Sequence, residues 1–361
     1  MSLQWKFMMK RSSLLLVTFF VGIAPTIAQS NKVFHAFYYP YGIVIDSKGS
    51  LFVTGKNNKV IKISPSGQVS EFAGSPNGNT GTIDDYGTKA SFRDTRGIAI
   101  DGQDNLYVCD YNKVRKISPA GLVSTYVGNG NYKQIDGSLA TASFNHLHNI
   151  ATNKNGEMYV TDELFDAVKK EDYHTIRKIS KDGSVTTLRN TDGSPIRINY
   201  AGGITCDSEG NLIVCDQRSR CIKKITARGN VSTIAGKCDF QKWNPIYKEG
   251  SIASALLVEP SGIAMNKTGE IFFADLRMHR IIKVANSRVT TIAGNGEIDF
   301  SHSNIGGYAE EGYADGNAKS ALFDGPQGIA FDRDGNLFIV DSNNKCIRKL
   351  SNGGVVSTFC K

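Results

Sequence analysis

His148 and Arg96 are the two residues whose chemistry stands out in this sequence. A histidine can act as a general base near neutral pH, and an arginine beside it can hold a developing oxyanion. Each stands one residue before a recurring motif, G-I-A-x-D or its variant N-I-A-T-N. The same place in the other copies is held by Tyr41, Gly202, Ser261 and Gln327. Because this place varies while its surroundings repeat, we predict that the six residues line a polar pocket with one cation and one aromatic ring, the alternative being a solvated surface without a ligand.

The recurring motif belongs to a longer repeat that must position these residues. The last copy, Gly325 to Cys360, contains four short apolar runs closed by the turns DRDGN, DSNNK and SNGG, the pattern of a four-stranded antiparallel meander. The marker residues of the six copies are Gly42, Gly97, Asn149, Gly203, Gly262 and Gly328. Such repeats form propeller blades, because one sheet cannot bury both of its faces alone. We predict an all-β fold, a six-bladed β-propeller of four-stranded antiparallel blades, in one domain of residues 29–361 with blades that start near residues 40, 95, 147, 201, 260 and 326.

The repeat resembles the NHL repeat in its successive stretches G-I-A-x-D, G-N-L-Y-V-x-D, I-R-K-I and G-x-V-S-T. The resemblance covers about residues 40–360 and implies a six-bladed propeller related in architecture to gluconolactonase-like propellers. Such propellers serve as binding platforms, sensor ectodomains, lactonases and lyases, so the resemblance does not fix a function. Two ways of closing the ring are compatible with the sequence. Blade six can pack directly on blade one, or Val33–Phe37 can add a strand to a neighbouring blade.

The first 28 residues are expected to be a signal peptide. The basic pair at 10–11 precedes an apolar run from Leu14 to Ile23, and small residues end at a cleavage position after Ala28. A retained anchor, and translation that starts at Met8 or Met9, are alternatives. We expect an exported protein, periplasmic or secreted, with no transmembrane segment after cleavage and with a net charge lowered from +8 to +5.

The distribution of basic residues argues against a nucleic-acid partner. The third strand of each copy carries one between apolar neighbours, so these side chains are expected on a solvated face. They are Lys62, Arg115, Arg177, Lys223, Lys283 and Arg348. Nucleic-acid binding would need a concentrated patch instead. We expect a monomer.

All seven cysteines lie after the expected cleavage position. Cys346 falls nearly opposite Cys360 in the last meander, and Cys215 and Cys221 flank the turn DQRSR, so these two pairs are predicted disulfides. Cys109, Cys206 and Cys238 have no evident partner, and no CxxC motif indicates zinc or redox chemistry.

Many acidic residues occur at the same place in several copies of the repeat, and such recurrence indicates a structural role. We expect the aspartates in the first turns of four copies, Asp46, Asp101, Asp207 and Asp332, and those that end the second strands of five copies, to accept backbone N–H groups instead of binding metal. The latter are Asp110, Asp162, Asp216, Asp275 and Asp341. Four connections carry an acid followed by A-x-F or A-x-L, which predicts an apolar plug between blades. His279, in a repeated slot, is also expected to be structural.

The third copy departs from the repeat by an eight-residue insertion. Asp162 to Ile179 spans 17 positions, whereas Asp341 to Leu350 in the last copy spans nine. The insertion predicts a longer loop that is either a solvated charged loop or a lid over the pocket. It carries Glu163, Asp166, Glu171, Asp172 and His174. Trp243, Tyr308 and Tyr313 lie in connections on the same face and would suit stacking on a sugar or an apolar partner.

The candidate functions are a binding platform and a propeller enzyme. A lactonase would need a divalent cation held by oxygen ligands, but the ring of six residues contains no acid and Arg96 would repel a cation. Glu163 or Asp166 would have to reach in to change that. We therefore predict no metal and no cofactor, and a platform for a carbohydrate, peptide or protein, with ligand-binding candidates Tyr41, Arg96, His148, Ser261, Gln327, Glu163, Asp166, His174 and Trp243. The alternative is a lactonase-type hydrolase or a lyase, with His148 and Arg96 as the catalytic candidates.

Overall fold

The computed structural model describes residues 37–238, 247–295, 298–299 and 308–361. It confirms the predicted all-β, six-bladed β-propeller. The expected signal peptide, residues 1–28, and Trp243 lie outside the described residues. Within the described ranges, no helix combines the length and apolar character needed to span a bilayer.

Each blade contains a four-stranded antiparallel meander, and short two-residue strands extend the sheets of blades 3, 5 and 6. The strands are numbered in chain order. Blade 1 contains β1 (Pro40–Ile45), β2 (Leu51–Gly55), β3 (Lys59–Ile63) and β4 (Val69–Ala73). A 3₁₀ turn (Gly87–Lys89) precedes blade 2, which contains β5 (Thr95–Ile100), β6 (Leu106–Asp110), β7 (Lys113–Ile117) and β8 (Val123–Val127). Blade 3 contains β9 (Gly137–Ser138), β10 (Leu147–Thr152), β11 (Met158–Asp166), β12 (Glu171–Ile179), β13 (Ser184–Thr187) and β14 (Arg197–Ile198).

The second half of the ring repeats the same plan. Blade 4 contains β15 (Ala201–Cys206), β16 (Leu212–Asp216), β17 (Cys221–Ile225) and β18 (Val231–Gly236). Blade 5 contains β19 (Gly250–Ser251), β20 (Pro260–Met265), β21 (Ile271–Asp275), β22 (Arg280–Ala285) and β23 (Arg288–Ala293). A short hairpin, β24 (Ile298–Asp299) and β25 (Tyr308–Ala309), leads to blade 6, which contains β26 (Gly316–Asn317), β27 (Pro326–Phe331), β28 (Leu337–Asp341), β29 (Cys346–Leu350) and β30 (Val355–Cys360).

The first full strand of each blade lies at the axis, beside its counterparts in the two neighbouring blades. The backbones approach so closely there that a Cβ atom on Gly97 would lie 2.7 Å from the Cα atom of Asn149. Glycine is therefore the marker residue of five copies. Blade 3 has Asn149 instead, and its side-chain amide donates to the carbonyl of Ala201 at 2.9 Å.

The ring closes by direct packing of blade 6 on blade 1. Phe338, Val340 and Ile347 of blade 6 share an apolar cluster with residues of β1, β2 and β3. Phe37, the first described residue, is also buried in this cluster but is not in a strand. The hydroxyl of Ser342 donates to the carbonyl of Pro40 across the same junction.

A separate apolar cluster fills each of the six interfaces between blades. The predicted plugs are confirmed: the Ala–Phe or Ala–Leu pairs of four connections are buried in these clusters. The pairs are Ala90–Phe92, Ala142–Phe144, Ala255–Leu257 and Ala321–Phe323. At the interface of blades 3 and 4, Ile196 and Ile198 occupy the corresponding place.

Three of the six third-strand basic residues contradict the expected solvated face. Arg115, Arg177 and Arg348 are fully buried, each between two aspartates. In blade 6, Arg348 lies 2.8 Å from Asp341 and 2.6 Å from Asp315. Blades 2 and 3 repeat this Asp–Arg–Asp clamp as Asp84–Arg115–Asp110 and Asp136–Arg177–Asp162. The expectation failed because neighbouring blades cover both faces of a blade, so alternation along a strand does not mark a solvated side.

The repeated aspartates are structural, as predicted. Asp101 accepts the N–H groups of Gln103 and Asn105 in its own turn, both at 2.9 Å. Those at the ends of the second strands hold other segments as well. Asp162 accepts N–H groups of Asn145 and His146 from the connection that enters blade 3, and so fixes the approach to β10.

The predicted disulfides are wrong. Cys221 is bonded to Cys238, with Cα atoms 5.0 Å apart. Cys215 pairs across the sheet with Ile222, so its side chain lies on the opposite face from Cys221. Cys346 and Cys360 are both unbonded. An irregularity between Ile347 and Arg348 aligns Cys360 with Ile347 instead of with Cys346, and so directs the two sulfurs to opposite faces.

Candidate functional site

A cavity of about 800 Å³ opens at the axis, where the innermost strands begin. The six residues that precede the markers all line it: Tyr41, Arg96, His148, Gly202, Ser261 and Gln327. The turns between the second and third strands of blades 4 and 5 complete the wall with Gln217, Arg218 and Arg277. The sequence therefore predicted correctly that these six residues line the cavity. That they bind a ligand stays a prediction.

Five charged or titratable side chains, His148 among them, form one hydrogen-bonded group. We call this group the mouth cluster; its members are Asp94, Arg96, His146, His148 and Glu163. The Oε2 atom of Glu163 lies 2.9 Å from both His146 Nδ1 and His148 Nε2. Asp94 Oδ2 lies 3.1 Å from His146 Nε2 and 2.8 Å from Arg96 Nε. Arg96 Nη1 in turn lies 3.0 Å and 2.8 Å from the two ring nitrogens of His148. The cluster spans blades 2 and 3 and meets the cavity through Arg96 and His148.

Local backbone structure holds the mouth cluster in place. His146 and His148 flank Leu147, the first residue of β10, whose side chain is buried in the interblade core. Alternation along the strand puts both imidazoles on the other side. The N–H of Glu163 donates to the carbonyl of His146 at 2.8 Å, which ties the second strand of the blade to the first.

The partners in the mouth cluster shift its pKa values. Burial would raise the pKa of Asp94, but the hydrogen bond from His146 and the charge of Arg96 lower it to about 2. Hydrogen bonds from His146 and His148 hold the pKa of Glu163 well below its usual range. Burial lowers the pKa of His148, whereas the bonds of His146 to Asp94 and Glu163 outweigh burial and raise its pKa. At neutral pH the cluster therefore contains two carboxylates, one guanidinium and a neutral His148.

The eight-residue insertion in blade 3 is a hairpin extension and not a loop. It lengthens β11 and β12 to nine residues each, and Glu163 pairs directly with His174 across the two strands. His174 is fully buried, and its ring lies 4.5 Å from that of His148 and 4.8 Å from that of Tyr200. Its Nδ1 accepts the N–H of Ala201 at 3.3 Å, and its Nε2 has no partner among the described residues.

The opposite wall of the cavity is rich in arginine. The guanidinium carbon of Arg218 lies 5.2 Å from the centre of the Tyr200 ring, and its Nη1 donates to the carbonyl of Asp172 at 3.1 Å. The Nε atom of Arg277 lies 3.4 Å from Glu259. Burial raises the pKa of Glu259 although Arg277 lies close.

The predicted candidates Glu163 and His174 do not line the cavity, and two further candidates do not reach it either. Asp166 lies at the end of β11 and pairs with Arg197 at 3.1 Å. Tyr313, on the same face by sequence, lies in the connection before blade 6 and is hydrogen-bonded to Thr358. Neither contributes to the lining.

Several residues of the site were missed in the sequence. His146 lies two residues before His148, and Asp94 lies two residues before Arg96. Residues two apart on a strand share a face, so this spacing was the available signal that they belong to the site. Arg218 and Arg277 lie in the short turns between the second and third strands of blades 4 and 5. Tyr200 has the same spacing before Gly202, in the connection that lacks the A-x-F pattern.

Comparisons with known proteins agree with the fold. The family model described as NHL repeat matches residues 323–350. The protein SUPPRESSOR OF QUENCHING 1 of Arabidopsis thaliana is 29% identical over 171 residues, and Teneurin-3 of Danio rerio is 29% identical over 168. The matches cover 44% and 43% of this chain but only 15% and 5% of those proteins, so the chain corresponds to a small part of each.

Solved structures extend the comparison over most of the chain. A structural-genomics protein of unknown function from Bacteroides thetaiotaomicron has a TM-score of 0.64 and 16% identity, with 87% of this chain and 69% of that chain covered. An auxiliary nutrient binding protein from the same species has a TM-score of 0.62 and 16% identity, with 89% and 70% covered. A protein assigned as a gluconolactonase has a TM-score of 0.53 and 12% identity, with 89% of both chains covered.

At these identities the similarity to the solved structures shows the fold alone. The six blades show that this chain is a six-bladed β-propeller, and its last blade matches the family model of the NHL repeat.

Proposed function

We propose that this protein is a binding protein whose ligand is a small anionic molecule, an acidic carbohydrate, held in the cavity at the channel mouth. The observation that carries the proposal is the charge of the lining. Four arginines, Arg96, Arg218, Arg220 and Arg277, surround the cavity, whereas Glu259 is the one carboxylate among the described lining residues.

Arginine suits a carboxylate ligand because its planar guanidinium donates two parallel hydrogen bonds. The neutral side chains of Gln217, Ser261 and Gln327 supply donors and acceptors for hydroxyl groups, and Tyr41 adds an aromatic ring. A cavity of about 800 Å³ accommodates a ligand of a few sugar rings. The fold neighbour described as an auxiliary nutrient binding protein supports a binding role for this scaffold.

Calorimetric titration of the purified protein with galacturonate oligosaccharides and with neutral galactose oligosaccharides of equal length tests the proposal. We expect the acidic series to bind at least about tenfold more tightly, and Arg218→Gln or Arg277→Gln to remove about tenfold each, equivalent to about 1.4 kcal/mol. Arg189→Gln, at an exposed position outside the lining, is the matched control and should bind like the wild type. Equal affinity for the neutral series, or no effect of the two cavity substitutions, would overturn the proposal.

The second candidate function is a lyase, favoured by one observation. His148 lines the cavity with a lowered pKa, so it is neutral at pH 7 and able to accept a proton, and Arg96 beside it can neutralise a substrate carboxylate. The reaction would remove a proton next to the carboxylate and expel the neighbouring leaving group to form an alkene. Ultraviolet absorbance of an unsaturated uronide, present with the wild type and absent with His148→Asn, would establish turnover; a flat trace with both leaves the binding role.

Export is the remaining part of the proposal. It is supported by the basic pair, the apolar run and the small residues before position 29. Mass spectrometry of the N-terminus of the protein recovered from expressing cells should find Gln29 first. Recovery of residues 1–28 on the purified protein would contradict export by cleavage.

A further inference from the structure

We propose that His146, His148 and Glu163 form a binding site for one divalent transition-metal ion of the zinc class in the wall of the cavity. The proposal goes beyond the binding of an anionic ligand and does not depend on it. It replaces the prediction from sequence that no metal is bound, which rested on a ring of residues without an acid.

The three donor atoms already converge. His146 Nδ1 and His148 Nε2 both lie 2.9 Å from the same carboxylate oxygen of Glu163, and the three atoms lie within 4.8 Å of one another. Bonds of about 2.0–2.2 Å to a common zinc ion require donors a little more than about 3 Å apart. A slight opening of this triangle therefore admits the ion.

A carboxylate behind His146 sets its tautomer. Asp94 Oδ2, 3.1 Å from His146 Nε2, accepts the proton of that nitrogen, so a bound metal ion would take the place of the proton that Nδ1 donates to Glu163. Metal-binding histidines commonly donate their second ring nitrogen to a carboxylate in this way.

The donor set selects the class of metal. Two imidazole nitrogens and one carboxylate oxygen suit zinc and its first-row neighbours, whereas calcium and magnesium prefer oxygen ligands alone. Three protein ligands also leave a coordination position for water or for a ligand in the cavity. The residues thus fit a metal different from that of an oxygen-lined lactonase site.

Arg96 competes with the ion for His148. Its Nη1 lies 2.8 Å from the Nε2 atom that would bind the metal. Occupation of the site therefore moves the guanidinium away from His148 and frees it for an anion in the cavity. Removal of this side chain should strengthen metal binding, an effect opposite in sign to that of removing a ligand.

A second group of similar composition, His279, Glu311 and Asp324, lacks the features of a site and provides an internal control. The Nδ1 atom of His279 accepts the N–H of Gly325 at 2.9 Å, so the proton of the neutral ring resides on Nε2. That nitrogen, 3.9 Å from the exposed carboxylate of Glu311, has no lone pair to offer. His279 is thus structural, as its repeated position indicated.

The test is metal binding by chelator-stripped full-length protein without any carbohydrate. Zn²⁺ is titrated by calorimetry, and Co²⁺ is followed by its visible absorption bands. We expect one ion per chain, at least about tenfold weaker binding by His146→Asn and Glu163→Gln, tighter binding by Arg96→Gln, and wild-type binding by His279→Asn and Asp166→Asn.

Melting temperatures measured without metal show whether each variant folds, and His148→Gln replaces any that does not. No binding by the wild type would overturn the proposal, as would undiminished binding by both ligand variants or an equal loss in His279→Asn. The metal titration contains no carbohydrate, so a negative result would not count against the binding of acidic carbohydrates. A negative carbohydrate titration would likewise not count against the metal site.

Discussion

The Asp–Arg–Asp clamps and the mouth cluster are built from the same charged groups, but they differ in repetition and burial. The clamps occur in blades 2, 3 and 6, each with a fully buried arginine that also donates to backbone carbonyls. The mouth cluster occurs once, between blades 2 and 3, and two of its members line the cavity. A charged group that recurs in the same place of several blades serves the fold, whereas one that occurs once beside a cavity is available for a ligand.

Loss of a clamp should have the largest effect on stability. Arg348→Met leaves the buried carboxylate of Asp341 without its cation, which we expect to cost about 3–5 kcal/mol in the free energy of unfolding. Burial raises the pKa of Asp341 to about 6, so the loss should shrink as the pH falls from 7 to 5 and this carboxylate becomes neutral. Chemical denaturation at the two pH values measures both effects.

Lys349→Met is the matched control, because it removes the same charge from the next residue. Lys349 is only partly buried and lies over the Phe338 ring at 5.3 Å, so its removal should cost less than about 1 kcal/mol. If the two substitutions destabilise the protein equally, the clamps have no special role in the fold.

Blade 4 sharpens the comparison because it contains a disulfide and lacks the complete clamp of blades 2, 3 and 6. Its third strand carries Lys223, 2.6 Å from Asp216, and the connection before it lacks the acid of the A-x-F pattern. The bond between Cys221 and Cys238 closes a span of 17 residues, worth about 3 kcal/mol by loop entropy.

We expect the double substitution Cys221→Ser and Cys238→Ser to lower the melting temperature as much as reductant lowers that of the wild type. Reductant should then have no further effect on the double variant. A wild-type protein that melts at the same temperature with and without reductant would show that this bond adds nothing to stability.

The fold was predictable because six copies of one pattern each contain four complete strands. The sequence also placed the rim of the cavity, since the residue before each marker must lie at the axis. The buried arginines escaped prediction for the reason that makes propellers stable. Both faces of a blade are covered, so an arginine between apolar neighbours, such as Arg348, looks the same in sequence as the partly exposed Lys62.

The site was less predictable because its parts come from different elements. Glu163 appeared to belong to a loop, since a count of inserted residues does not reveal that β11 and β12 extend as a hairpin. The predicted bond between Cys346 and Cys360 failed because the last two strands pair with an irregular register, which residue spacing does not reveal. His146 lies just before a strand and outside the repeated motif, so only its spacing of two residues from His148 pointed to the site.

A metal-dependent gain in stability would separate the mouth cluster from the clamps. With Zn²⁺ at about 100 times its dissociation constant, the wild type should gain about 2.7 kcal/mol, and Glu163→Gln should gain nothing. Without metal, Glu163→Gln should destabilise the protein less than Arg348→Met, because the side chain of Glu163 is 20% exposed whereas that of Arg348 is fully buried. Thermal unfolding with Zn²⁺ and with chelator measures both. A large loss without metal would place Glu163 with the structural charges.

The smallest expected effect is the pH dependence of ligand binding through Glu259, the one carboxylate among the described lining residues. Burial raises its pKa, and it faces Arg277, Arg220 and Asp275. When the pH falls through this pKa, a negative charge disappears from the cavity, so affinity for an acidic oligosaccharide should rise. We expect Glu259→Gln to bind about fivefold more tightly than the wild type at pH 7, equivalent to about 1 kcal/mol, and this difference to shrink as the pH is lowered. Because the mouth cluster titrates in both proteins, the difference between them isolates Glu259. A difference that stays constant with pH would mean that the carboxylate acts through its hydrogen bond to Gln217 and not through its charge.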